Sequence, residues 1–322
     1  MMFDDTMNMN YDEFIAYIKE RMEEALEDAD VRDIRIVPAV RNNQVVMDAL
    51  QISWGHERPA PLIYLDSYYE DYRKGVPVAV LIHNMTVLCL ESLEGMGMIP
   101  LQDIPFFERI RSRIILRLVN AGKNAQLLEE CPHRVFAEDL AITYRILAGH
   151  TEGGISTILI TNELMDAWDL TEEDLHGLAC ENSLRLFPPS VETVRQMLER
   201  TMGEAYGDAF PGRADDPDNM LYLLSNDCRI NGASVICYSD VIRNFADTMD
   251  SDFYVIPSSI HEVILVPTRS EVSPHHLKEI LMEANRSVLQ KEDILGDGVY
   301  FYTRSSGKIE KYSGQIEGNL LQ

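Results

Sequence analysis

Along residues 11–29 apolar side chains recur at spacings of three and four (Phe14, Ile18, Met22, Ala25, Ala29), and carboxylates fill the opposite face. That is the period of an amphipathic helix with one buried stripe. Residues 34–40 and 45–53 instead alternate loosely around Arg41-Asn42-Asn43-Gln44, the pattern of a hairpin with an Asn-rich turn. Residues 64–72 and 76–93 return to helical spacing and stop at Gly95, Gly97 and Pro100. Two strands follow over 135–147 and 155–160, joined by a Gly-rich turn. Thr171-Glu172-Glu173-Asp174 has the form of a capping box, and Leu175, Leu178, Ala179 and Asn182 share one face of the helix it opens. Pro188-Pro189-Ser190 restarts the chain for a helix through Val191, Val194, Met197 and Leu198.

Residues 203–219 concentrate Gly, Pro, Asp and Ala without any period, which marks a linker between residues 1–202 and a C-terminal unit over 220–303. Within that unit strands are expected at 221–225 and 234–238, a helix at 241–249, a hairpin over 253–256 and 260–266, a helix at 274–287 and a strand at 299–303. Ser273 and Pro274 supply the cap and first turn of the last helix. The order ββαββαβ implies antiparallel sheets with helices packed on them, so the fold class is α+β. Residues 304–322 form a polar tail, expected to fray.

Composition changes this picture in one respect. Apolar residues make up 46% and charged residues 25%, the usual globular balance, but the formal charge is −25. Such a field repels phosphate backbones and anionic lipid surfaces, which disfavours nucleic acid and membranes and leaves a protein or a small molecule as the expected partner. The five cysteines are widely spaced with no Cys-x-x-Cys pair, and the first residues lack a basic and apolar leader pattern, so a cytoplasmic location is expected.

Candidate chemistry is sparse. Glu94-Gly95-Met96-Gly97 lacks the third glycine of a dinucleotide loop, and His261-Glu262 is followed by no second histidine at metalloprotease spacing. Neither a cofactor nor a metal site is therefore expected. The stretch DFYVIPSSIHEVILVP (252–267) gathers Ser258, Ser259, His261 and Glu262 at the polar end of the hairpin. Ser259 and His261 lie two apart, on one face of a strand, and as a nucleophile and base they form the hydrolase reading. Glu262 points to the other face in regular strand geometry, so an acid orienting the imidazole has to come from another segment. The plainer reading is a turn followed by the wetter end of a buried strand. Arg109, Arg111, Arg113 and Arg117 form a basic window that contrasts with the acidic chain and offers a polyanion contact.

LVNAGKN (118–124), CPHRVFAEDLAI (131–142), ILITNELMDAWDLTEEDLHGLACEN (158–182) and the 252–267 stretch together resemble the bacterial family of domain of unknown function 5688. The resemblance runs from about Tyr11 to Tyr302. It implies a bacterial origin, among anaerobic Gram-positive organisms, and brings no activity, cofactor or catalytic residue with it. The functional expectation is thus a non-enzymatic binding or regulatory module. A hydrolase acting through Ser259 and His261 on a small or peptide substrate is the alternative, and a polyanion binder through residues 109–117 the third.

Overall fold

The structure, a computed structural model, describes residues 8–54, 62–94, 99–151, 154–202, 221–270, 272–287 and 289–313. Among these the chain forms helices and three antiparallel sheets, as the α+β expectation required. Strands in chain order are β1 (Val31–Val40), β2 (Val46–Trp54), β3 (Leu62–Tyr64), β4 (Ile114–Asn120), β5 (His133–Phe136), β6 (Leu140–Thr151), β7 (Gly154–Leu159), β8 (Pro189–Thr193), β9 (Tyr222–Asn226), β10 (Phe253–Ile256), β11 (Val263–Pro267), β12 (Tyr300–Thr303) and β13 (Lys308–Lys311). Two compact units emerge, 1–113 with 146–159, and 114–145 with 160–322, a partition different from a division at 203–219. That Gly- and Pro-rich stretch lies outside the described residues.

In the first unit the helix Tyr11–Ala25 begins at Asn10, whose side chain accepts from Glu13 N while Glu13 reaches back to Asn10 N, a closed capping box. Its buried face, Phe14, Ile18 and Met22, packs with Ile52 and Trp54 of β2 and with Leu81, Met85 and Cys89 of the helix Val78–Glu94. Phe14 also stacks on Tyr72 at 5.3 Å from the helix Leu65–Arg73. β1 and β2 pair from Val40↔Val46 back to Val31↔Trp54, and β3 adds a third strand. Asn43 and Gln44 take the left-handed conformation in the turn between them, which asparagine tolerates well.

The second unit holds a six-stranded sheet in the order β13-β12-β10-β11-β9-β8. Phe245, Phe253 and Tyr302 form an aromatic ladder with ring separations of 5.2 and 4.7 Å. Leu277 and Leu281 of the helix Pro274–Ser287 bury against Ile256, Val266 and Val299. Ile280 of the same helix is 53% exposed, because the helix turns only a narrow face to the sheet. The same unit also holds a sheet of β4, β5 and the start of β6, in the order β4-β6-β5. β4 stands at its edge, and side chains complete its backbone pairing: Leu116 N donates to Ser183 Oγ, Leu118 N to Ser234 Oγ, and Asn182 Nδ2 donates to Ile114 O, each at 3.0 Å. Buried polar residues here thus replace a missing strand.

Several elements differ from expectation. Residues 135–147 are not one strand: β5 and β6 form a hairpin through Ala137 and Glu138, both left-handed (φ 49° and 70°), with no Gly, Pro or Asn to announce the turn. Residues 189–193 are strand β8 before the helix Val194–Met202, because the segment pairs with β9 from Pro189↔Asn226 onward. Gly232–Cys237 is a buried 3₁₀ helix instead of a strand. The tail is not frayed as far as Tyr312: β13 pairs with β12 around a turn in which Gly307 is left-handed, and Gly314 onward lies outside the described residues.

Candidate functional site

The connection between β10 and β11 is longer than a strand hairpin needs, since residues 257–262 lie outside both strands. His261 and Glu262 therefore sit in a loop, and strand alternation does not fix their directions. Within the loop Ser258 N donates to Ile256 O at 2.8 Å and Ser259 N to Glu262 O at 3.1 Å. Ser259 is 5% exposed, and its hydroxyl oxygen accepts the His261 backbone N–H at 3.0 Å. This is the local side-chain cap that serine offers a turn.

Other segments clamp the same loop. Ile260 N donates to Asp293 O at 2.8 Å, Ala233 N to Ile260 O at 3.2 Å, and Ser225 Oγ to His261 O at 2.7 Å. Gly232 makes the closest approach: a Cβ on it would stand 2.1 Å from Ser225 Oγ and 2.5 Å from His261 O. The imidazole turns toward two residues that sequence reading missed. Its Nδ1 accepts the backbone N–H of Asn231 at 3.3 Å, and Nε2 faces Asp293 Oδ1 at 3.4 Å. Acceptance at Nδ1 places the proton of the neutral ring on Nε2, pointing at the carboxylate. Asn231 is itself left-handed (φ 52°), which aims its N–H at the ring. Asp293 is thus the orienting acid from another segment, although the ring it holds is directed to Asn231 and Asp293 while the Ser259 hydroxyl is directed to backbone.

Glu262, half-buried at the end of this loop, has its carboxyl pushed up by burial, against the pull of Arg229 and His261 and with a further push from Glu192. Arg229 is held by Glu192 at 2.7 Å, and Glu192 also accepts from Arg200 at 3.3 Å. Burial works upward on Glu192, but the two guanidinium partners together hold its carboxyl below the usual range.

Three arginines of the basic window have partners of their own. Arg109 pairs with Asp103 and lies 5.0 Å from the Phe106 ring, Arg111 donates to Glu108 at 3.2 Å, and Arg113 donates to Leu147 O at 3.5 Å. These three belong to the first unit, whereas Arg117 lies on β4 in the second. Asp103 and Glu108 lie just before the window, which is how a stretch with no acid inside it acquires carboxylate partners.

Two phrases of the resemblance meet in space. Ala121 N donates to Asp139 O at 2.8 Å, and the Asp139 carboxylate accepts from Tyr300 Oη and Lys311 Nζ, both at 2.5 Å. Asn120 bridges the same region, donating to Leu295 O at 3.0 Å and accepting from Lys123 N at 2.9 Å. The bond to Asp139 raises the Lys311 ammonium and holds the end of β13 in place. Other histidines have local partners: His133 Nδ1 faces the Cys131 carbonyl at 3.0 Å, while His275 and His276 both approach Glu279. Among the described residues no three or more His, Cys, Asp or Glu are placed to hold a metal ion.

Comparison with known proteins gives one match. The model of a family described as a family of unknown function (DUF5688) covers residues 11–304. No curated protein and no solved structure matches the chain.

Proposed function

The chain belongs to that family of unknown function, and from this premise and the loop geometry we propose that it is a non-enzymatic binding or regulatory module. Its ligand contact is the polar end of the β10–β11 connection, Ser258 to Glu262. One observation carries the reading: His261 Nδ1 accepts from Asn231 N–H and Nε2 faces Asp293 at 3.4 Å, while the neighbouring Ser259 hydroxyl oxygen accepts from backbone. A base must offer a free ring nitrogen to the nucleophile it activates. A recognition group needs only a fixed donor and partial exposure, and the His261 side chain is 36% exposed.

The partner that suits this loop is a small molecule or a peptide carrying hydrogen-bonding groups. Nucleic acid is the weaker reading, because the charge is −25 and Arg109 and Arg111 already lie against carboxylates. Among the described residues no helix is long and apolar enough to cross a membrane.

The test has two arms. A fluorophosphonate probe on the folded protein is expected to leave Ser258 and Ser259 unlabelled, and labelling of either would restore the hydrolase reading in place of this one. A thermal-shift screen with polar metabolites and short peptides is expected to find compounds that raise the Tm of the wild type and not of His261→Ala. Compounds that stabilise both proteins equally would move the binding site elsewhere.

A further inference from the structure

Away from that loop, a chain of side chains runs from a thiol to an ion pair within the second unit. The helix Glu172–Leu186 starts at a closed capping box, Thr171 with Asp174, which fixes its first turn and the direction of the residues behind it. His176 and Cys180 are four apart, on one face. Cys180 Sγ lies 3.5 Å from His176 Nε2, and His176 Nδ1 lies 3.1 Å from the hydroxyl of Tyr144 on β6. Tyr144, itself fully buried, donates to Glu172 Oε1. Arg134 of β5 closes the chain with two bonds to the Glu172 carboxylate, at 2.8 and 3.1 Å, and a third to Glu173.

Donor and acceptor roles follow from the far end. Glu172 only accepts, so Tyr144 spends its proton there and its oxygen accepts from His176 Nδ1–H; Nε2 is then left with a lone pair directed at the Cys180 thiol. Burial works upward on the Glu172 carboxyl, but the bonds from Arg134 and Tyr144 win and keep it ionised. This is the arrangement of a nucleophile, a base and an orienting group. Both reacting side chains are half-buried, so small reagents reach them.

We propose that Cys180 is a covalent modification site: its thiol, with His176 Nε2 taking the S–H proton, attacks small neutral carbon electrophiles, and Tyr144 and Glu172 are the positioning residues. With iodoacetamide as the probe, an S–C bond forms, the C–I bond breaks, iodide leaves with the bonding pair, and the proton rests on His176 until solvent removes it. Burial raises the thiol and lowers the imidazole, so the resting pair is neutral. Arg134 lowers both groups, Glu172 and Glu173 pull the imidazole up, and Cys237 and Tyr238 lie near the thiol.

The pH profile distinguishes assistance from mere proximity. Between the two pKa values the reactive thiolate–imidazolium pair forms by internal transfer, so its fraction is independent of pH; an unassisted thiol gains tenfold per pH unit. Cys228 is the internal control, since it is also half-buried but donates to Asp227, and burial with that carboxylate pushes its thiol up to about 11.

Alkylation of the full-length protein is followed by peptide mass spectrometry from about pH 6 to pH 9. Cys180 is expected to show a plateau near neutral pH and Cys228 a slope near one. At pH 7, His176→Asn should slow Cys180 by about tenfold or more and restore a slope near one. Tyr144→Phe, which keeps the buried ring, should lower the plateau by a smaller factor. A Cys180 that stays unlabelled in the folded wild type, or that shares the slope of Cys228, overturns the proposal from the wild-type data alone, whatever the variants do to folding.

Discussion

Gly232 sits where three polar atoms converge, for a Cβ there would lie 2.1 Å from Ser225 Oγ, 2.5 Å from His261 O and 2.7 Å from Asn226 N. Ser225 Oγ and His261 O are already bonded to each other, so neither moves without breaking the clamp on the candidate loop. Gly232→Ala is expected to cost about 1–3 kcal/mol, the range of overpacking a filled site. A urea midpoint within error of wild type would show that the clamp yields freely. Glu262 gives a pH-dependent counterpart. Burial raises its carboxyl pKa in the folded state, so folding is favoured by the protonated form below the unfolded pKa, and that advantage is lost as pH rises through the folded value. Glu262→Gln, which stays neutral, should therefore raise Tm by about 1–2 °C at pH 7, with the gain shrinking toward pH 4. A gain that is constant across this range would trace the effect to packing.

At the scale of elements, legibility in the sequence followed the locality of the signal. The helix Pro274–Ser287 was readable because Ser273, Pro274 and the Leu277 and Leu281 repeat lie within a few turns, and the helix Tyr11–Ala25 because Phe14, Ile18 and Met22 recur at helical spacing. β4 was hidden, since its Arg117 reads as a continuation of the basic window and its pairing depends on Ser183, Asn182 and Ser234 from distant segments. β8 looked helical for a similar reason: β9, which recruits it, follows only after another helix. In the candidate site Ser259 and His261 were visible as neighbours, but Asn231 and Asp293, which decide where the imidazole points, lie outside the stretch. The Ala137–Glu138 turn shows the cost of a hidden signal, for both residues hold a conformation that asparagine or glycine adopts more easily. Glu138→Gly is expected to stabilise the protein by about 0.5 kcal/mol, the left-handed penalty of about 1–2 kcal/mol less the entropy glycine adds to the unfolded chain. Denaturant titration checks the sign, and a destabilised variant would mean that the Glu138 side chain contributes contacts worth more than the strain.

Over the whole molecule, charge sets two opposed effects of salt. The chain carries 53 acidic against 28 basic residues, so unpaired carboxylates repel one another at low ionic strength. Against this stand exposed pairs such as Lys19 with Glu23 and Arg195 with Glu199, each worth only a few tenths of a kcal/mol in water. Salt weakens both, but the excess of acids outnumbers what the cations can pair, and repulsion acts over about 10 Å at 0.1 M where a pair acts at contact. Net screening should therefore favour the folded chain. Raising sodium chloride from about 20 to about 300 mM is expected to lift Tm by about 1–2 °C, the response of a 322-residue chain to about 1 kcal/mol. Differential scanning calorimetry across that series checks it. A Tm that falls with salt would mean that the ion pairs at Arg134, Arg229, Arg304 and Lys311 outweigh the repulsion, and neutralising Arg304, whose Asp247 and Asp250 partners are exposed, would then remove part of the fall.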